Sequence, residues 1–206
     1  SLTGWWRASY SASPWTGTAS AGTSGSNDLT EATNPPAAGT AVNGLNPADF
    51  DGTNDTLNFG GTLDTYGAAL AFSGWCLFYC DTLDRTLIYS AAASLNIYPG
   101  SPNFIFGVGA SYVQRACSAS TWTLATWRYT GSNLQVGINE APGAAGGGST
   151  TAYSTAMVLT DPVVISSGGS FWDGKILEIG MSDTSLTDQN FTDIKSYVNS
   201  RYGLAL

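Results

Sequence analysis

Apolar residues along this chain recur mostly at every second position, in short runs separated by Gly, Ser, Thr, Asn and Asp. That alternation is the mark of β-strands with one covered face. Residues 1–10, with Trp5, Trp6 and Tyr10, predict a first strand. Residues 68–80 are apolar on both alternating faces, with Leu70, Phe72, Cys76 and Phe78 on one and Trp75, Leu77 and Tyr79 on the other. A central strand covered on both sides is expected there. Shorter strands are expected at 85–90, 95–98, 104–108 and 111–116. Residues 121–129 carry Trp122, Leu124 and Trp127, and the turn Thr130-Gly131-Ser132-Asn133 joins them to the alternating stretch 134–138 as a hairpin. The last strands are expected at 163–166 and 175–181. Residues 11–47 are rich in Ser, Thr, Gly, Ala and Pro, with Asn34-Pro35-Pro36 as a stiff turn. They read as a surface loop or as short strands hidden among small residues.

The period changes once, near the end. Thr187 is a suitable helix cap and Asp188 suits the positive helix terminus. Phe191, Ile194 and Val198 then form one apolar stripe, and Gly203 supplies a left-handed stop. The chain shows no linker, charge run or repeat, so one domain over residues 1–206 is expected.

Hydrophobic residues make up 43% of 206, enough for a globular core and far from a disordered composition. No run approaches the eighteen or so apolar residues of a membrane-spanning helix. No basic-then-apolar segment opens the sequence; Ser1-Leu2-Thr3 reads as a mature end left by initiator Met removal, which would imply a cytoplasmic protein made without an export signal, or as a domain boundary. Seven basic against 15 acidic residues leave a net charge of −8, with Arg scattered at 7, 85, 115, 128 and 201. Nucleic-acid binding, which needs clustered cations, is not expected. Cys76 and Cys80, four apart on one strand, would stand about 13 Å from each other and cannot bridge. Either could meet Cys117, and three buried thiols are the plainer reading.

Three groups of residues together resemble the laminin-G-like, concanavalin A-like jelly-roll family. They are Trp6-Arg7-Ala8 with Trp15 and Asn43-Gly44-Leu45; Phe50-Asp51-Gly52-Thr53-Asn54-Asp55-Thr56-Leu57; and the ending Trp172-Asp173-Gly174-Lys175-Ile176-Leu177-Glu178, a Leu186-Thr187 helix start and Tyr202-Gly203-Leu204. The 122–138 hairpin fits the same pattern. Gly17 and Glu140 stand where the family often has Asp and Gly. The resemblance implies an all-β, two-sheet antiparallel jelly-roll sandwich with one short C-terminal α-helix.

Candidate chemistry is sparse. Without His there is no Ser-His-Asp or Cys-His nucleophile and no Cys2His2 zinc site. Glucanases on this sandwich need carboxylates spaced as Glu-x-Asp-x-x-Glu on one strand. The three Glu, at 31, 140 and 178, do not start such a pattern, so a non-enzyme is expected. Asp51, Asn54 and Asp55 are close and oxygen-rich, as a Ca²⁺ site requires, and equally suited to capping their own turn. Seven Trp and ten Tyr offer faces for sugar rings. Trp172, expected opposite Phe171 beside a turn, and Tyr153, after the Gly-rich stretch 143–148, are the candidates; Trp5, Trp6, Trp75 and Trp127 are expected in the core. The resulting expectation is a binding or structural sandwich. One setting is a bacteriophage virion surface, as a capsid decoration or tail-associated protein. Its partners would be other virion subunits, further copies of itself, or cell-surface glycans. The other setting is a carbohydrate-binding module of a secreted bacterial protein.

Overall fold

The computed structural model describes residues 2–7, 10, 29, 33–62, 71–90, 95–108, 111–143, 151–152, 162–166 and 170–206. Among the described residues fourteen strands and one helix follow in order: β1 Leu2–Arg7, β2 Ala37–Ala38, β3 Ala48–Asp51, β4 Leu57–Thr62, β5 Phe72–Cys80, β6 Ile88–Ser90, β7 Leu95–Pro99, β8 Asn103–Val108, β9 Ser111–Ala116, β10 Trp122–Tyr129, β11 Asn133–Ile138, β12 Thr151–Ala152, β13 Pro162–Ile165, β14 Asp173–Ser182 and α1 Asp188–Tyr202. They form two antiparallel sheets. The eight-stranded sheet runs β12-β11-β10-β5-β14-β3-β2, with β1 also paired to β14; the six-stranded sheet runs β4-β13-β6-β7-β8-β9. The fold is a β-sandwich.

The sheets meet through aromatic residues. Phe78 of β5 stacks on Phe104 of β8 at 5.7 Å, and Phe72 meets Phe106 edge-on at 5.8 Å. Trp127 also fills this interior, because Gly74 opposite it carries no side chain. A Cβ at Gly74 would lie 2.5 Å from the indole. The hairpin is β10–β11, closed by Thr130 N–H donating to Asn133 O at 3.1 Å. The 11–47 stretch contains β2 and a bridge between Val42 and Leu45. The reading of hidden short strands therefore holds for its described part. All three cysteines are unbridged, and burial pushes Cys80 up to about 12 and Cys117 up to about 11.

The helix begins and ends where its caps direct. Thr187 Oγ1 accepts from Asn190 N–H, Asn190 Oδ1 accepts from Thr187 N–H, and Gly203 adopts φ 65°. Phe191, Val198 and Tyr202 are buried. Ile194, Val198 and Tyr202 lie against the outer face of the eight-stranded sheet, over Trp75, Leu77, Leu124 and Leu177. This explains the two-sided apolar pattern of β5: one face meets the other sheet and the opposite face meets α1. Arg128 of β10 ties the helix entrance down, donating to Leu186 O at 2.8 Å and pairing with Asp188 at 2.9 Å. Among the described residues no helix is long and apolar enough to cross a membrane.

Candidate functional site

The six-stranded sheet leaves its outer face without a helix over it among the described residues. The strand registers align Asn58, Val164, Tyr89, Asn96, Gly107 and Tyr112 in one row across all six strands. A second row, two residues along, holds Tyr98, Ile105 and Gln114. Strands about 4.8 Å apart make the first row roughly 24 Å long. No described position in these rows carries a charge. Tyr112 is 56% exposed, the one large hydrophobic side chain of that kind among the described residues. Asn96 Oδ1 is buried with no hydrogen-bond partner among the described residues. A buried acceptor without a donor is unusual and points to a missing partner.

The covered side of the sandwich holds a second arrangement, centred on Glu178. Strand β14 carries a bulge: Ile176 pairs with Phe78, but Glu178 pairs with Leu77 and Ile179 with Cys76. Two residues therefore oppose one, and the extra residue turns Glu178 away from the sandwich interior. There Trp5 Nε1 donates to Glu178 Oε1 at 2.7 Å, Trp75 Nε1 to the same oxygen at 3.4 Å, and Tyr202 OH to Oε2 at 2.8 Å. Trp5 and Trp75 flank Gly180 from the two neighbouring strands. The bare Gly180 backbone lets the Trp75 ring lie against it, where any Cβ would collide. Burial pushes the Glu178 carboxyl above the usual range, against the pull of these three donors and of Arg201. With both oxygens engaged and no exposed surface, Glu178 is a structural group. Between this sheet face and α1 lies a pocket of about 370 Å³, lined by Trp5, Trp75, Glu178, Leu186, Asn190, Asp193, Ile194 and Tyr197.

The residues singled out in the sequence fall elsewhere. Trp172 is a correction: its indole is 0% exposed and meets Phe78 edge-on at 5.4 Å inside the sandwich, so it offers no face to a ligand. Alternation put it opposite Phe171, but β14 begins only at Asp173, and the chain before it is not bound to alternate. Tyr153 lies outside the described residues. Trp75 and Trp127 are buried as expected, and Trp5 is half-buried at the pocket.

Asp51, Asn54 and Asp55 form a self-capped turn. Asp51 Oδ1 accepts from Thr53 N–H at 2.8 Å and Asn54 N–H at 3.3 Å, and Asp55 Oδ2 accepts from Asp51 N–H at 2.9 Å. Two of their carboxylate oxygens hold backbone N–H groups, as the turn-capping reading requires. Among the described residues no group of three or more His, Cys, Asp or Glu suits a metal. Asp55→Ala is expected to cost about 1–3 kcal/mol by leaving the Asp51 N–H unpaired. EDTA is expected to leave the melting temperature of the unaltered protein unchanged. Thermal melts check both, and a drop with EDTA would restore the metal reading.

Comparison with known proteins adds to the geometry. No protein-family model and no curated protein sequence matches this chain. Solved structures do. A Trypanosoma rangeli sialidase in complex with sialic acid superposes with TM-score 0.64 at 13% identity, over 94% of this chain and 32% of that one. The likeness is one of fold. The chain spans about a third of the sialidase's length, 32%. A heptameric SAP-like pentraxin from Limulus polyphemus matches with TM-score 0.57 at 17% identity, over 74% of this chain and 82% of that one. Botulinum neurotoxin type C, whose cell entry depends on two ganglioside molecules, matches with TM-score 0.56 at 11% identity, over 72% and 42%.

Proposed function

We propose that this chain is a non-catalytic glycan-binding β-sandwich of the laminin-G-like, concanavalin A-like kind. It holds a neutral glycan across the outer face of its six-stranded sheet. The observation that carries this reading is the row structure of that face: Tyr89, Tyr98 and Tyr112 with Asn96 and Gln114, and no described charged side chain. Tyrosine rings stack on the apolar faces of sugars, and amides both donate to and accept from hydroxyls. The similar structures named with sialic acid and gangliosides support a glycan as the ligand class. The lack of Lys or Arg in the rows, with a net charge of −8, selects an uncharged one.

A glycan array carrying neutral and sialylated chains tests the reading. Binding is expected to neutral chains, and Tyr112→Ala and Gln114→Ala are each expected to weaken it about five- to tenfold, one contact's worth. Binding to no neutral glycan, or undiminished binding by the double variant, would overturn it.

Within this reading the chain works as a surface component of a larger assembly, a bacteriophage capsid decoration or tail-associated protein. The support is its charged fraction of 11%, since subunit interfaces are poor in charge at their centres. Light scattering coupled to size exclusion separates the settings. A stable trimer or larger ring supports the virion role; a monomer supports a carbohydrate-binding module of a secreted bacterial protein.

A further inference from the structure

The pocket beneath α1 lies on the opposite side of the sandwich from the glycan face, and its chemistry is different. Its walls are apolar and aromatic. Trp5 meets Tyr197 at 5.4 Å and Trp75 at 6.2 Å, both with ring planes inclined by 69°. Rings so inclined form the corner of a box. Leu186 and Ile194 complete the walls, Glu178 lies at the floor, and Asp193 and Asn190 come from α1. No Lys or Arg lines the pocket, so its two acidic side chains are its only formal charges among the described residues. Its volume, about 370 Å³, falls in the range that small ligands occupy.

We propose that this pocket binds a methylated ammonium group. Three arguments select that chemistry. Aromatic ring faces attract cations through their quadrupole, and boxes of several rings suit quaternary ammonium groups. Trp5 shows the tendency already, with the Arg7 guanidinium carbon 4.5 Å from its ring centroid and Arg7 outside the pocket lining. The second argument is hydrogen bonding. Trp5, Trp75 and Tyr202 fill three of the roughly four acceptor positions of the Glu178 carboxylate, so the floor supplies negative field with little acceptor capacity left. A primary ammonium, which must replace its water hydrogen bonds, would find acceptors at Asp193 and Asn190 on the helix side but few at the floor. A methylated ammonium has few or no N–H groups to satisfy. The third is charge. A neutral apolar group would fill the walls equally well but would gain nothing from Glu178 and Asp193, and an anion would be repelled by them. Burial raises the Glu178 carboxyl. A cation held nearby would draw it back towards the carboxylate.

Titration of tetramethylammonium chloride into the full chain, at constant ionic strength, tests the proposal. The indole N–H resonances of Trp5 and Trp75 are followed by NMR, with tert-butyl alcohol as the neutral counterpart of similar shape. Saturable shifts of both indole signals are expected with tetramethylammonium and not with the alcohol. Asp193→Asn is expected to weaken binding about threefold and Tyr197→Leu about fivefold, the loss of one exposed charge and one ring wall. Equal response to the alcohol, no saturable shift, or full affinity in both variants would overturn the proposal. A trimethyllysine peptide and phosphatidylcholine vesicles then separate a protein source of the group from a lipid one. The glycan reading concerns the other face, so each reading can fail without the other.

Discussion

Glu178→Ala is expected to destabilise the protein by about 3–5 kcal/mol, the summed cost of buried donors that lose their acceptor at about 1–3 kcal/mol each. The substitution removes the acceptor shared by the Trp5 and Trp75 indole N–H groups and the shorter of the two Tyr202 hydroxyl bonds, the other running to Leu177 O at 3.4 Å. It also opens a void under α1, whose buried Val198 and Tyr202 rest on the same cluster. Urea unfolding should show a lower midpoint with an unchanged slope. Glu178→Gln is expected to cost far less, since its amide oxygen still accepts from both indoles and its nitrogen faces a hydroxyl able to accept. That variant also isolates a pH effect. The native Glu178 carboxyl lies above the usual value because burial outweighs its donors. Between the unfolded value, about 4.3, and the raised native value, the native state holds more protons than the unfolded one. The contribution of Glu178 is therefore complete below about 4.3 and falls as pH rises through the native value. The stability of the unaltered protein relative to Glu178→Gln is expected to decline from pH 4 to pH 7. Asp49 and Asp55, also raised by burial, cancel in that difference. A difference that grows with pH would contradict the account.

Trp172→Ala is expected to cost about 3–5 kcal/mol as well, as usual for a large aromatic removed from a core. The indole packs on Phe78, and its backbone fixes the turn before β14: its N–H donates to Ser166 Oγ at 2.8 Å and its carbonyl accepts from Gly52 N–H at 3.0 Å. Trp172→Phe is expected to cost much less. It retains an edge-on ring, and it removes an indole N–H that has no partner among the described residues. Glycan binding by this milder variant is expected to equal that of the unaltered protein. Loss of glycan binding without loss of stability would return Trp172 to a ligand site.

Local chemistry explains how much of this was readable beforehand. The helix was legible because its signals are local: the Thr187 cap, the Phe191 and Val198 stripe and the Gly203 stop act within a few residues. The β10–β11 hairpin was legible for the same reason, its turn lying between two alternating runs. The Asp51–Asp55 turn was open to two readings, and two of its carboxylate oxygens hold backbone N–H groups. Neither candidate surface has such a signal. Tyr89, Asn96 and Tyr112 lie on three strands, and only the register between strands brings them into one row. Asn96 and Gln114 are unremarkable polar residues until the face around them is seen to carry no charge.

Glu178 shows the division most sharply. Strict alternation along Ile176-Leu177-Glu178-Ile179 sends Glu178 to the same side as Ile176, into the sandwich interior. The bulge at Leu177–Glu178 reverses that, and the carboxylate meets partners 173, 103 and 24 residues away. Alternation, caps and turns are energies between near neighbours, so an all-β chain ending in one amphipathic helix was readable from residue order. Which face the helix covers, which way Glu178 turns and which tyrosines share a row depend on contacts between residues far apart in the chain. Those contacts exist only once both sheets have paired and packed.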